Sequence, residues 1–161
     1  MGVKDTFLGN EVLLYIDTVT PVTTAVGSLD ITDAVLVACL VNNSFDGTNS
    51  PITTTSKCSG KFATSLGGEQ GWSMSADGNS INVTTGEAAT LKSHNALFKL
   101  WRSGVPFWAY MYDTALKTVR FGVVRIDSNG ETFPTNAAAT FTISLTGIGE
   151  VYDQNDLPVI P

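Results

Sequence analysis

The amino-acid sequence predicts a mainly β domain, an antiparallel β-sandwich or partly open barrel with one flanking α-helix. Three observations predict it. Apolar stretches of strand length recur along the chain, separated by Gly-, Asn- and Pro-rich punctuation. Residues 138–145 alternate in the two-residue period of a half-buried strand, with Phe141, Ile143 and Leu145 on one side and Thr140, Thr142 and Ser144 on the other. Only one segment, residues 90–104, carries helical spacing. Many short strands with a single helix must bury that helix against a sheet.

The elements follow in order. Residues 1–10 are short and mixed, an arm rather than core. Residues 11–17 read as a strand, and Thr18–Asp33 as an irregular Thr- and Gly-rich stretch broken at Pro21. Ala34–Val41 is a continuous apolar run, which fits a strand covered on both faces. Asn42–Thr55 holds Asn42, Asn43, Asp46, Gly47, Asn49, Ser50 and Pro51, turn-forming residues with little to contribute to a core, and reads as a long loop. Ser56–Thr64 reads as a strand, Ser65–Gly71 as a turn on Gly67, Gly68 and Gly71, and Trp72–Ala76 as a strand ending in an Asp77-Gly78 turn. Thr90 is placed to cap the helix. Leu91, His94, Leu97, Phe98 and Trp101 form its apolar stripe, Lys99 and Arg102 suit its negative end, and Gly104 and Pro106 end it. Phe107–Tyr112 and Thr118–Ile126 flank a turn at Asp113–Lys117 as a hairpin. Asp127–Thr135 is a further turn, Gly147 and Gly149 break the last long strand, and Asp153–Pro161 reads as a C-terminal arm.

The 161 residues fit one domain, large enough to bury about 70% of its unfolded surface without metal or disulfide staples. Hydrophobic residues make up 43% and charged ones 15%, below the roughly 25% typical of soluble domains. Two readings fit that scarcity of charge: surface buried against a partner, or an ordinary β domain rich in Thr, Ser and Asn. The net charge of −6, with nine dispersed Lys and Arg, argues against tight nucleic-acid binding, which needs clustered cations. Cys39 and Cys58 lack the spacing of a zinc site and read as small buried hydrophobes. Met1–Asn10 has no signal-peptide character, and no apolar stretch is long enough for a membrane span; the expectation is a chain made in a reducing cytoplasm.

Catalytic chemistry finds no foothold. The single histidine, His94, lies on the helix stripe and reads as a core or boundary residue. No nucleophile elbow, zinc-protease helix, phosphate loop or calcium loop is present. Gly147-Ile148-Gly149 is half of a dinucleotide fingerprint, but no helix follows to receive a phosphate. Asp30 with Asp33, or Asp153 with Asp156, read as solvated acids. Trp72 and Trp101 read as core. No enzyme activity, cofactor or metal is expected.

Several segments in order carry a resemblance. Val37-Ala38-Cys39 running to Asn43, Thr54-Thr55-Ser56-Lys57, and Trp72-Ser73-Met74-Ser75-Ala76-Asp77-Gly78 are followed by a helix, an aromatic strand pair and a closing Ser144-Leu145-Thr146-Gly147-Ile148-Gly149. This ordered set, over residues 10–152, resembles the major tail protein (tail tube protein) family of long-tailed bacteriophages, from which Cys39 and Cys58 depart. The resemblance implies a tail-tube-like fold and a structural virion protein, assembled in the host bacterial cytoplasm, that polymerises as stacked hexameric rings into the conduit for DNA ejection. It implies self-association and contact with other tail proteins (tape measure, terminator, baseplate or tip), with genomic DNA passing through the lumen without specific binding. It also places inter-subunit contacts on the long loop at Asn43, Phe45, Asp46, Asn49, Pro51 and Ile52, on the N-terminal arm at Phe7 and Leu8, and on the C-terminal arm at Leu157 and Val159. The alternatives are the tube of a contractile tail or type VI secretion apparatus, another virion ring component (tail terminator or capsid decoration protein), a carbohydrate-binding β-sandwich using exposed Trp108 with Tyr110 or Tyr112, and, last, a hydrolase.

Overall fold

A computed structural model of the chain describes residues 12–37, 40–54, 60, 65–81 and 91–157. Among these residues eight strands form one sheet: β1 (Val12–Asp17), β2 (Val35–Val37), β3 (Leu40–Thr53), β4 (Ser65–Asn79), β5 (Leu91–Lys92), β6 (Phe107–Asp113), β7 (Thr118–Thr132) and β8 (Thr140–Asp153). Their order is β3-β4-β8-β7-β6-β1-β2-β5. All pairings are antiparallel except β2 with β5. One helix, α1 (His94–Ser103), precedes β6. The mainly β fold with one flanking helix is therefore present, as a single curled sheet that does not close.

Alternation explains the curl. On β6, Phe107, Ala109 and Met111 point to one face and Trp108, Tyr110 and Tyr112 to the other, and all six are buried. The first set joins Leu14, Ile16, Trp72, Met74, Ala76, Phe141, Ile143, Leu145 and the helix residue Leu97 in the main core. The second joins Leu29, Val119, Phe121 and Leu157 in a smaller cluster on the opposite face. Wrapping the sheet around the main core brings β3 toward β1, five places along the order, and Asn43 Nδ2 donates to the Val12 carbonyl at 3.0 Å.

The helix begins later than its apolar spacing suggests. Ser93 stands at the N-cap without a side-chain bond, His94 opens the first turn, and Leu91 belongs to β5; Thr90 lies outside the described residues. Gly104 takes the expected left-handed conformation (φ 65°), its N–H bonding the Leu100 and Trp101 carbonyls. Trp101 is a correction: it is 40% exposed and leans on Phe98 at 5.7 Å, because only Leu97 of this helix reaches full burial.

The larger corrections concern segments read as loops and turns. Asn42–Thr53 is strand, paired with Ser65–Asp77 along a long hairpin. Asp77-Gly78 is not a turn but lies inside β4. β7 continues through Asp127–Thr132, and β8 runs past Gly147 and Gly149 to Asp153, with bulges where the register shifts.

Candidate assembly surfaces

The two hairpin strands leave the body of the sheet near Trp72. β4 pairs with β8 only from Ser73 to Asn79, whereas its pairing with β3 continues to Ser65. Beyond Gly47 and Trp72 the hairpin is therefore a two-stranded arm with no third strand beside it among the described residues. Its outer residues are exposed, and Ile52 (59%) and Leu66 (63%) oppose one another near the tip as an uncovered apolar pair. Gly68 fits the bulge there: a Cβ would lie 1.7 Å from the Ser50 carbonyl oxygen.

The root of the arm is fixed by Trp72. Its indole lies flat over two glycines on neighbouring strands, since a Cβ on Gly147 would lie 2.1 Å and one on Gly122 2.6 Å from ring carbons. Phe45 stacks at 6.0 Å, and Trp72 Nε1 donates to the Gly149 carbonyl at 3.0 Å, where Gly149 has φ 80° in the β8 bulge. An open groove of about 420 Å³ lies alongside, bounded by Phe45, Trp72, Gln70, Glu150 and Val151.

The strands β3, β4, β8 and β7 present a second surface. Their inward positions fill the main core, so their outward positions form a separate face. Hydrogen-bond registers align these positions in rows: Asp46, Ser73, Thr146, Arg125; then Ser44, Ser75, Ser144, Ser128; then Asn42, Asp77, Thr142, Gly130. No apolar side chain stands in these rows. Ser44 and Ser75 share a hydrogen bond of 2.6 Å, Asn42 Nδ2 donates to Asp77 at 3.4 Å, and Thr146 donates to Asp127. Asp46, Asp77 and Asp127 outnumber the one cation, Arg125, whose Nη2 is 3.6 Å from Asp127. The outward Ser and Thr of β4 and β8 were visible in the sequence. What sequence reasoning missed was that four strands bring such positions together.

Among the described residues this half-sheet also has two open edges. β3 is the first strand in the order, and β6 pairs with β7 only as far as Val124, so Arg125–Thr132 has no strand beside it on that side among the described residues. The edges run antiparallel to one another.

The expected contact residues divide. Asp46, Asn49, Pro51 and Ile52 are exposed on β3. Asn43 and Phe45 are partly buried, engaged with Val12 and Trp72 of their own chain. Leu157 is buried at 8% exposure in the smaller core cluster, so residues 153–157 pack as a turn against the chain's own sheet rather than as a free arm. Phe7, Leu8 and Val159, like Cys39 and Cys58, lie outside the described residues.

The sugar-binding alternative loses its platform. Trp108 is 2% exposed with Nε1 bonded to the Pro21 carbonyl, and Tyr110 and Tyr112 are buried beside it. Burial, then Asp17, Asp33 and Asp30, hold the Tyr110 phenol well above the usual tyrosine range. Asp30 is held below the usual carboxylate range by hydrogen bonds from the Thr32 hydroxyl and N–H.

Solved structures share this architecture. The tail of an empty gene transfer agent particle, refined helically with C6 symmetry, superposes with a TM-score of 0.68 at 16% identity, covering 91% of this chain and 98% of that one. The SPP1 tail tube gives 0.62 at 15%, covering 92% and 78%. This chain has the tail-tube fold. A chain from the anti-feeding prophage baseplate shares the tail-tube fold more distantly, at a TM-score of 0.55 and 8% identity over 95% and 97%. No protein-family model matches the sequence, and no curated protein matches it at the level of sequence.

Proposed function

We propose that the chain is a tail tube subunit that closes into hexameric rings and stacks them into a conduit for DNA. The observation that carries this reading is the half-sheet with two open, mutually antiparallel edges and a bare polar face. Open edges of this length invite uncontrolled pairing unless another strand covers them. Joining β3 of one copy to the free part of β7 in the next covers both with one contact repeated around a ring. That contact is heterologous, and a rotation that closes makes a ring. The opposite face of the half-sheet is filled by the main core, so the Ser-, Thr- and Asp-bearing face lines the channel.

The arm supplies the second direction of growth. A two-stranded ribbon is marginal by itself in water, and an exposed Ile52–Leu66 pair at its tip fits burial against the adjoining ring. Ring on ring is open-ended, so the product is a filament. The channel face has one cation among three acids; it offers phosphates few partners, and DNA slides without being held. The other tail proteins (tape measure, terminator, baseplate or tip) then meet the tube at its ends.

Electron microscopy of the purified chain at rising concentration, alone and with preformed tail tips as seeds, tests this. Hollow tubes with sixfold rings are the expected result. Monomers or single closed rings throughout, even with seeds, would overturn the tube reading in favour of a terminator or decoration role.

A further inference from the structure

The row Asp46, Ser73, Thr146, Arg125 crosses the whole half-sheet on its polar face. Its two ends carry opposite charges, and each end stands on an open edge. Asp46 is the acid of β3, and Arg125 is the base of the uncovered stretch of β7. We infer that Arg125 of one copy pairs with Asp46 of the next across the seam of the ring, and that this ion pair sets the register in which copies join. The inference rests on the tube reading above.

Three features favour that partner. Side chains alternate along a strand, so a seam that keeps the polar face continuous changes its stagger in steps of two residues. Within one such step a long arginine still reaches a diagonal neighbour. No other outward position of β3 from Asn42 to Thr48 carries a charge, so Asp46 is the acid available there. Finally, the Arg125 contact with Asp127 in the same strand is loose, at 3.6 Å between two half-exposed side chains. That leaves the guanidinium, with its fork of donors, able to bridge a second carboxylate.

A charge swap tests the seam. Asp46→Arg places two guanidiniums together, and Arg125→Asp places two carboxylates together. Like charges facing across an interface oppose association strongly. Each single variant should raise the concentration needed for assembly by roughly tenfold or more, with a melting curve shifted no further than the loss of the exposed Arg125–Asp127 contact allows. The double variant Asp46→Arg/Arg125→Asp should return to within about threefold of the original chain. The single-variant defects should shrink in about 1 M salt, where screening acts over about 3 Å.

Singles that assemble like the original chain, or a double variant as impaired as the sum of both, would overturn the seam while leaving the tube reading intact. If the original chain forms no rings under seeding, the tube reading falls and the seam with it.

Discussion

Trp72 does three jobs with one side chain: it fills the core, tethers the β8 bulge through Nε1, and roots the arm. Its neighbours Gly122 and Gly147 are required for lack of a Cβ rather than for turning the chain. Trp72→Ala should cost about 3–5 kcal/mol in chemical denaturation, the range for emptying a large aromatic site. Gly147→Ala should cost about 1–3 kcal/mol by forcing the indole aside. Combining the two should cost less than their sum, because the alanine methyl then meets a void. Tyr110 offers the opposite case. Its buried hydroxyl has no hydrogen-bond partner among the described residues, so Tyr110→Phe should leave the melting temperature unchanged or higher. Its raised pKa also gives a pH signature. The unfolded phenol ionises at about pH 10; the stabilisation is complete below that pH and is lost as pH rises toward the higher folded value. Denaturation midpoints measured above pH 10 should fall for the original chain, and fall less for Tyr110→Phe.

At the scale of elements, the arm offers a test that separates the proposed assembly from folding. Ile52→Asp with Leu66→Asp changes exposed positions only, so the monomer should unfold within about 0.5 kcal/mol of the original, while tubes viewed by electron microscopy should disappear. Normal tubes from that variant would remove the arm from ring stacking. The arm also shows where sequence reading reaches its limit. Thr48–Thr53 looks like a loop because both faces of a free ribbon are wet, and Asn42–Gly47 looks like one because its inward positions are Asn43, Phe45 and Gly47, of which only Phe45 carries an apolar side chain. Gly67, Gly68 and Gly71 look like a turn, yet Gly68 is there to let the Ser50 carbonyl approach. Where one face is buried, the pattern was legible: Trp72–Ala76 and Thr140–Leu145 alternate against the core, and β6, buried on both faces, was legible as a continuous apolar run. The helix end was legible from Gly104 and Pro106. Its start was not, since Ser93 makes no side-chain cap and Leu91 serves a strand. The open edge of β7 could not be read at all, because it depends on where β6 stops pairing.

For the whole molecule, the contrast between the two faces of the half-sheet matters more than net charge. The −6 total gives the sign, but a row of four serines, Ser44, Ser75, Ser144 and Ser128, gives the polar face its chemistry. Ser75→Lys with Thr142→Lys would place two cations per copy on that face. Assembled tubes of this variant should retain duplex DNA in a sedimentation assay at low salt and release it as salt rises, whereas the original tubes should retain none. Retention by the original tubes would contradict a non-adhesive channel.

Among the described residues the arm leaves the sheet at one end, and in the proposed tube this asymmetry has a kinetic meaning. In the proposed tube, a copy shortened beyond Gly47 and Trp72 keeps the edges of β3 and β7, so it should enter a ring and receive the arm of a neighbour with nothing to extend in return. Such a copy should act as a chain terminator. On the proposed ring of six, one defective member should spoil the ring, so a small admixture should poison elongation far out of proportion to its abundance, and the mean tube length should count how often a dead end was incorporated.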